Sequence, residues 1–157
     1  MALPEDFDGE ALYQPWAWFL HELLEVDVEQ RRVVAAMDTT ALSLLVDAQR
    51  VVSGHERHVP AAAIIQATGT LGQLYVVYGL GLRASAGWHG YGTHIRQARF
   101  ARMGRIGPPI RATAVCTRQR QMMGTWFCDF DIRFEQEGEA VYTSTQSAVW
   151  RRQERGG

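Results

Sequence analysis

The sequence predicts an α+β domain in which a curved antiparallel β-sheet wraps around one long central α-helix. The first observation behind this is a run from Val59 to Leu82 with no Asp, Glu, Lys or Arg. The second is strand-like alternation of apolar and polar residues on both sides of that run. The third is the order of elements, two strands, one helix and then four consecutive strand-like stretches, which groups the strands as antiparallel neighbours. A sheet that curls around a single helix buries the helix on nearly all sides, which accounts for its lack of charge.

Along the chain, an acidic N-terminus is expected to fray. "WFLHELLEVD" and "RRVVAAMD" read as two strands joined by a short polar turn. Residues Ala41 to Ser53, "ALSLLVDAQRVVS", suit a short helix or an irregular flap equally. From Pro60 the helical pattern is clear: Ile64, Thr68, Leu71, Tyr75, Tyr78 and Leu82 step by three and four along one face. Beside them Ile65, Gly69, Gly72, Val76 and Gly79 form a mostly small stripe. Glycine inside a helix costs about 1 kcal/mol relative to alanine, so this stripe predicts close approach of another backbone. Pro60 fits the first helical turn, where its missing N–H costs nothing.

"RASAGWHGYG" is expected to be a loop, followed by strands in "THIRQARFARM", "PIRATAVCTRQR", "TWFCDFDIRFE" and "EAVYTSTQSAVW". The third of these alternates most cleanly, with Trp126, Cys128, Phe130, Ile132 and Phe134 on one face and Thr125, Asp129, Asp131, Arg133 and Glu135 on the other. "RIGPPIR" and "EQEGE" supply turns, the latter with Gly138 free to take positive φ.

The 157 residues, 46% hydrophobic and 21% charged, form one domain with a core from about Trp16 to Trp150. A formal charge of -1 with interspersed signs points away from nucleic acid and from anionic membranes. The N-terminus shows neither a basic nor an apolar signal region, so a cytoplasmic location is expected. In that compartment Cys116 and Cys128 are expected as buried free thiols, although a hairpin would set them roughly opposite one another.

The uncharged run exceeds the roughly 18 residues of a membrane-span candidate. Gln66, Thr68, Thr70, Gln73 and several glycines dilute it, however, and the flanking strands need it as their core, so no span is expected. "HERH" invites a metal reading, but His55 and His58 are three apart in a loop, whereas helical zinc histidines are four apart, and no metal is expected. The helix entrance behind them offers amides without intrahelical partners, near Ala61 and Ala62. Such amides polarise a carbonyl oxygen, and an adjacent imidazole moves a proton or holds a water, which suits attack on a thioester.

The strand order and the phrase "GHERHVPAAAIIQA" resemble the hotdog-fold superfamily over roughly Trp16 to Trp150. Two branches are similar to this chain. In the FabZ-type 3-hydroxyacyl-carrier-protein dehydratases a Gly-His pair is followed by a proline-containing element and then a helix acid. Gly54–His55 and Val59–Pro60 match the first two, and Gln66 stands at the acid's position. A glutamine cannot donate the proton a leaving hydroxyl requires. In the FcoT-type fatty acyl-CoA thioesterases a Gly-His motif leads into an apolar helix without that acid. His58 with Ala61, or Gly54–His55, matches there, and the segment from Ala98 to Ala140 resembles the closing strands.

The resemblance implies hydrolysis of an acyl thioester on coenzyme A or an acyl-carrier protein, within fatty acid or polyketide-type chemistry, with dehydration as the alternative. A third possibility is a non-catalytic acyl-binding subunit. It implies a homodimer with active sites at the interface, tetramers being left open, and no cofactor beyond the coenzyme A or phosphopantetheine of the substrate. Ala61, Ala62 and Thr70 are then expected at the thioester, Gln66 at the water, and His58 or His55 as its base. Trp16, Trp18, Phe19, Tyr75, Tyr78 and Trp88 are candidates for acyl contact or for core. Arg96, Arg99 and Arg102, at intervals of three, are expected either to meet coenzyme A phosphates or an acidic carrier, or to form a solvated edge that blocks aggregation.

Overall fold

The computed structural model describes residues 2–153. Its sheet has six strands: β1 (Glu22–Asp27), β2 (Arg32–Met37), β3 (Trp88–Phe100), β4 (Ile110–Met122), β5 (Thr125–Gln136) and β6 (Glu139–Arg152). They lie in the order β1-β2-β4-β5-β6-β3, and every pairing is antiparallel. A short helix α1 (Ser43–Val46) and the long helix α2 (Ala61–Tyr78) come between β2 and β3.

Both long hairpins close on two-residue turns in which each residue has positive φ, Met123–Gly124 (51° and 72°) and Glu137–Gly138 (52° and 82°). That twist matches the right-handed twist of the strands it joins, and glycine carries the second position without strain. The chain then alternates as its sequence suggests. Cys128, Phe130, Ile132 and Phe134 are buried, while Asp131 and Arg133 are exposed.

Helix α2 packs on the concave face. Ile64, Leu71, Leu74 and Tyr75 are buried in one core with Val33, Ala35, Phe130 and Phe134. Its far side is covered by the N-terminal segment, which folds rather than fraying. Phe7 is fully buried against Trp18, and a 3-10 turn spans Glu5–Gly9. Asp6 accepts hydrogen bonds from Arg83 and from the Tyr78 hydroxyl, which hold its carboxyl below the usual range. Glu10 is buried; that burial raises its pKa, but hydrogen bonds from the Ser85 hydroxyl and amide outweigh it. Acidic residues at the start of the chain are therefore anchors for the C-terminal end of α2, which alternation alone could not reveal.

Two further expectations change. The stretch from Trp88 to Gly92 belongs to β3 instead of a loop, its two glycines being held by pairing with Trp150 and Ala148. The first strand begins only at Glu22, because Pro15–Ala17 form a 3-10 turn and Phe19 takes a left-handed backbone. Cys116 and Cys128 lie on adjacent strands as free, buried thiols.

Candidate active site

Between α2 and the β3–β6 side of the sheet lies a cleft of about 390 Å³. Its helical wall is the face formed by Gln66, Gly69, Thr70 and Gln73, which follow one another by three and four and so stack on one side of α2. Phe130, Ile132 and Trp150 contribute apolar sheet surface, and Leu12, Tyr13 and Trp18 border the cleft from the N-terminal segment. The glycine stripe does not receive another backbone. A Cβ on Gly69 would meet nothing within 4 Å, and one on Gly72 would meet only the Phe130 ring at 3.9 Å. The missing side chains leave room for a ligand.

Hydrogen-bond capacity separates the polar lining into two groups. Thr68 Oγ1 lies 2.7 Å from the Ile65 carbonyl and 3.2 Å from Gln146 Oε1, and Gln146 Nε2 donates to Ser144 Oγ at 3.1 Å. Gln73 Nε2 donates to the Glu10 carbonyl at 2.9 Å, tying the N-terminal segment over α2. Gln66 and Thr70 have no side-chain partner among the described residues, so their amide and hydroxyl face the cleft with capacity to spare. No carboxylate lines the cleft among the described residues; its one imidazole is that of His94.

His94 owes its place to a β-bulge between Gly92 and His94, which changes the facing of β3 at that point. Its Nδ1 is 3.1 Å from Thr93 Oγ1, which in turn donates to the Ser147 carbonyl at 3.1 Å. His94 has no expected role from the sequence. Gln66 and Thr70 were expected at the site from the resemblance, whereas Gln73 entered only as dilution of an apolar run, and the stride of the three by four and three was the readable signal for the cleft wall.

The other expected residues divide by location. His55 and His58 are brought together, with ring centroids 5.0 Å apart at 81°, but neither borders the cleft of its own chain. Their loop is fixed by Gln49, whose Nε2 donates to the His58 carbonyl at 2.8 Å while its Oε1 accepts from the His58 amide at 3.1 Å. Val59 N–H bonds the Gly104 carbonyl at 2.8 Å. Ala61 and Ala62 are exposed at the start of α2, outside the cleft. Among the described residues no group of three or more His, Cys, Asp or Glu is placed to hold a metal. No helix is long and apolar enough to cross a membrane.

Of the six candidate aromatics, Trp18 borders the cleft and Trp16 is exposed, whereas Phe19, Tyr75, Tyr78 and Trp88 belong to the core or pack against it. Tyr75 donates to Gln119 Oε1 at 2.9 Å, and burial first, with nearby cysteines, pushes its pKa up to about 12. The three arginines do not act as a row. Arg96 donates to Ser147 Oγ at 3.0 Å, Arg102 pairs with Glu139, and Arg99 follows a second bulge.

The sequence matches no known protein-family pattern and no curated protein sequence. Solved structures are similar to it in shape. A mutant thioesterase from Pseudomonas aeruginosa shares 16% identity over 85% of this chain and 82% of its own, with a TM-score of 0.59. The dehydratase heterocomplex ApeI:P from Xenorhabdus doucetiae shares 14% over 91% and 88%, with a TM-score of 0.62. A hypothetical thioesterase from Streptococcus pneumoniae, solved with coenzyme A, shares 14% over 85% and 90%, with a TM-score of 0.56. The strand order, the single long helix seated in the sheet and these likenesses agree that the chain has the hotdog fold.

Proposed function

We propose that this protein hydrolyses acyl thioesters, with the acyl group in the α2 cleft and the thiol belonging to coenzyme A or a carrier's phosphopantetheine. The observation that carries the reading is the cleft lining: an apolar slot with two uncommitted polar side chains, Gln66 and Thr70, one imidazole and no carboxylate. Dehydration of a 3-hydroxyacyl group by a base and a separate acid needs a carboxylic acid beside the imidazole, and among the described residues this slot has no carboxyl group. Hydrolysis needs only an oriented water, a base and donors for the carbonyl oxygen.

Water held by Gln66 attacks the thioester carbon as His94 takes its proton. The developing oxyanion accepts from the Thr70 hydroxyl, the C–S bond breaks, and the thiolate leaves with the proton returned by the imidazole. No cofactor is required. In the same proposal two copies pair through the open edge of β3, with the loop carrying His55 and His58 as the alternative source of a base.

The test is release of free thiol from a panel of acyl-CoA and acyl-carrier thioesters, with products identified by mass. Gln66→Ala and His94→Ala are each expected to lower turnover by about 10- to 1000-fold. If His58→Ala has that effect and His94→Ala has none, the base comes from the loop. Loss of 18 mass units with the thioester intact would replace hydrolysis by dehydration, and turnover unchanged in all three variants would remove the site.

A further inference from the structure

The sheet face turned away from α2 carries a group of cations that the cleft does not use. Residues opposite one another in an antiparallel register project to the same face. Arg120 stands opposite Phe127, Phe127 opposite Val149, Met122 opposite Thr125, and Thr125 opposite Arg151. Arg118, two residues before Arg120, stands opposite Asp129. Cys128 and Phe130 point the other way, into the core, so Arg118, Arg120, Met122, Phe127 and Arg151 share the outer face. With about 7 Å between same-face residues along a strand and about 5 Å between strands, the arginines span a flat area of about 14 Å by 10 Å.

Among the described residues their charges are not neutralised by ion pairs, unlike those of six other arginines. Arg32, Arg57, Arg83, Arg102, Arg105 and Arg133 each meet a carboxylate. Arg118, Arg120 and Arg151 are exposed and have no carboxylate partner among the described residues. The Arg120 guanidinium lies 5.3 Å from the centroid of the Phe127 ring. Asp129, next to Arg118 in register, accepts from Ser147 Oγ at 2.7 Å, and that oxygen also accepts from Arg96. Beside the cations, Met122 is half exposed and Met123, at the tip of the β4–β5 turn, is 97% exposed.

We infer that this face docks an acidic protein, the carrier that brings the acyl group, an inference that rests on the thioester hydrolase reading above. Spread guanidiniums beside exposed methionine and a stacked aromatic ring have the composition of a protein interface. Between Arg118 and Arg120 a free nucleotide fits poorly, because the hollow there is only about 80 Å³ and is shared with the Asp129 carboxylate, which repels phosphate. The patch also backs directly onto the cleft. Arg151 follows Trp150, and Trp150 faces the cleft through the sheet. The phosphopantetheine arm of a carrier held here has to pass around the strand ends beside the β4–β5 turn to enter the acyl slot, because the paired strands themselves are closed to it.

The experiment measures binding without chemistry. An acyl-carrier protein is loaded with octanoyl-phosphopantetheine through a non-hydrolysable amide and titrated into the wild type, Arg118→Glu/Arg120→Glu/Arg151→Glu, and Arg111→Glu, an exposed arginine at the far end of β4. Kd is expected to rise at least about tenfold in the triple variant, to stay unchanged in Arg111→Glu, and to weaken with salt. The triple variant should still turn over octanoyl-pantetheine at the wild-type rate, which establishes that it is folded. No binding by the wild type, an unchanged Kd in the triple variant, or equal weakening of octanoyl-CoA binding would each overturn the inference. Patch-dependent binding without thiol release in any form would instead remove the hydrolase reading and leave the docking face standing.

Discussion

Tyr142 shows how much one oxygen atom matters in this core. Its side chain is fully buried between Phe100 and Phe134, with ring centroids at 4.9 and 5.9 Å, and its hydroxyl has no hydrogen-bond partner among the described residues. A buried hydroxyl without a partner has lost its water for nothing in return. Tyr142→Phe should therefore raise the unfolding free energy by about 1 kcal/mol in urea denaturation, and a loss of stability would mean that the hydroxyl is satisfied. Tyr75 differs because its hydroxyl is bonded to Gln119. Gln66 was legible as a special residue from the sequence, since it stands where a related chemistry needs an acid. His94 was not, because its place in the lining of the same cleft depends on a bulge in a strand far along the chain.

At the scale of the element, α2 carries two faces with different tasks. The face with Ile64, Leu71 and Tyr75 is core, and the face with Gln66, Gly69, Thr70 and Gln73 is cleft wall. In the sequence the glycines read as a seat for another backbone, a sound inference from helix energetics, but the same absence of Cβ serves equally well to hold a slot open. Substitution at Gly69 separates the two. Gly69→Ala has space around its Cβ and removes a helix penalty, so it should stabilise the protein by about 0.5–1 kcal/mol in thermal or chemical unfolding. Gly69→Phe should leave the fold intact while blocking the slot, with turnover of long acyl thioesters falling and that of acetyl thioesters retained. Equal loss for both substrates would place the acyl chain elsewhere.

For the whole molecule, the governing feature is the edge strand β3, thirteen residues long and exposed along nearly its entire length. Long free edges pair with other strands unless something covers them. Tyr91, Ile95 and Phe100 are all exposed large hydrophobics on this edge, which favours a second copy over solvent. On the proposed pairing of two copies along this edge, Ile95→Lys, which adds a charge where two edges would meet, should shift the protein from dimer to monomer in light scattering and lower turnover with it. A monomeric wild type of full activity would show that one chain suffices. The sequence by itself determined the helix, the strands from β2 onward except the first residues of β3, and the two tight hairpins, because local periodicity and turn chemistry dictate these. It also marked Gln66. Only the tertiary structure decided which face of α2 opens onto a cleft, that the acidic N-terminus is an anchor, that His94 lines the same cleft as Gln66, and that Arg118, Arg120 and Arg151 share one face of the sheet. Each of these joins residues distant in the chain through register, bulge and curvature, and a pattern read within a single segment contains none of the three.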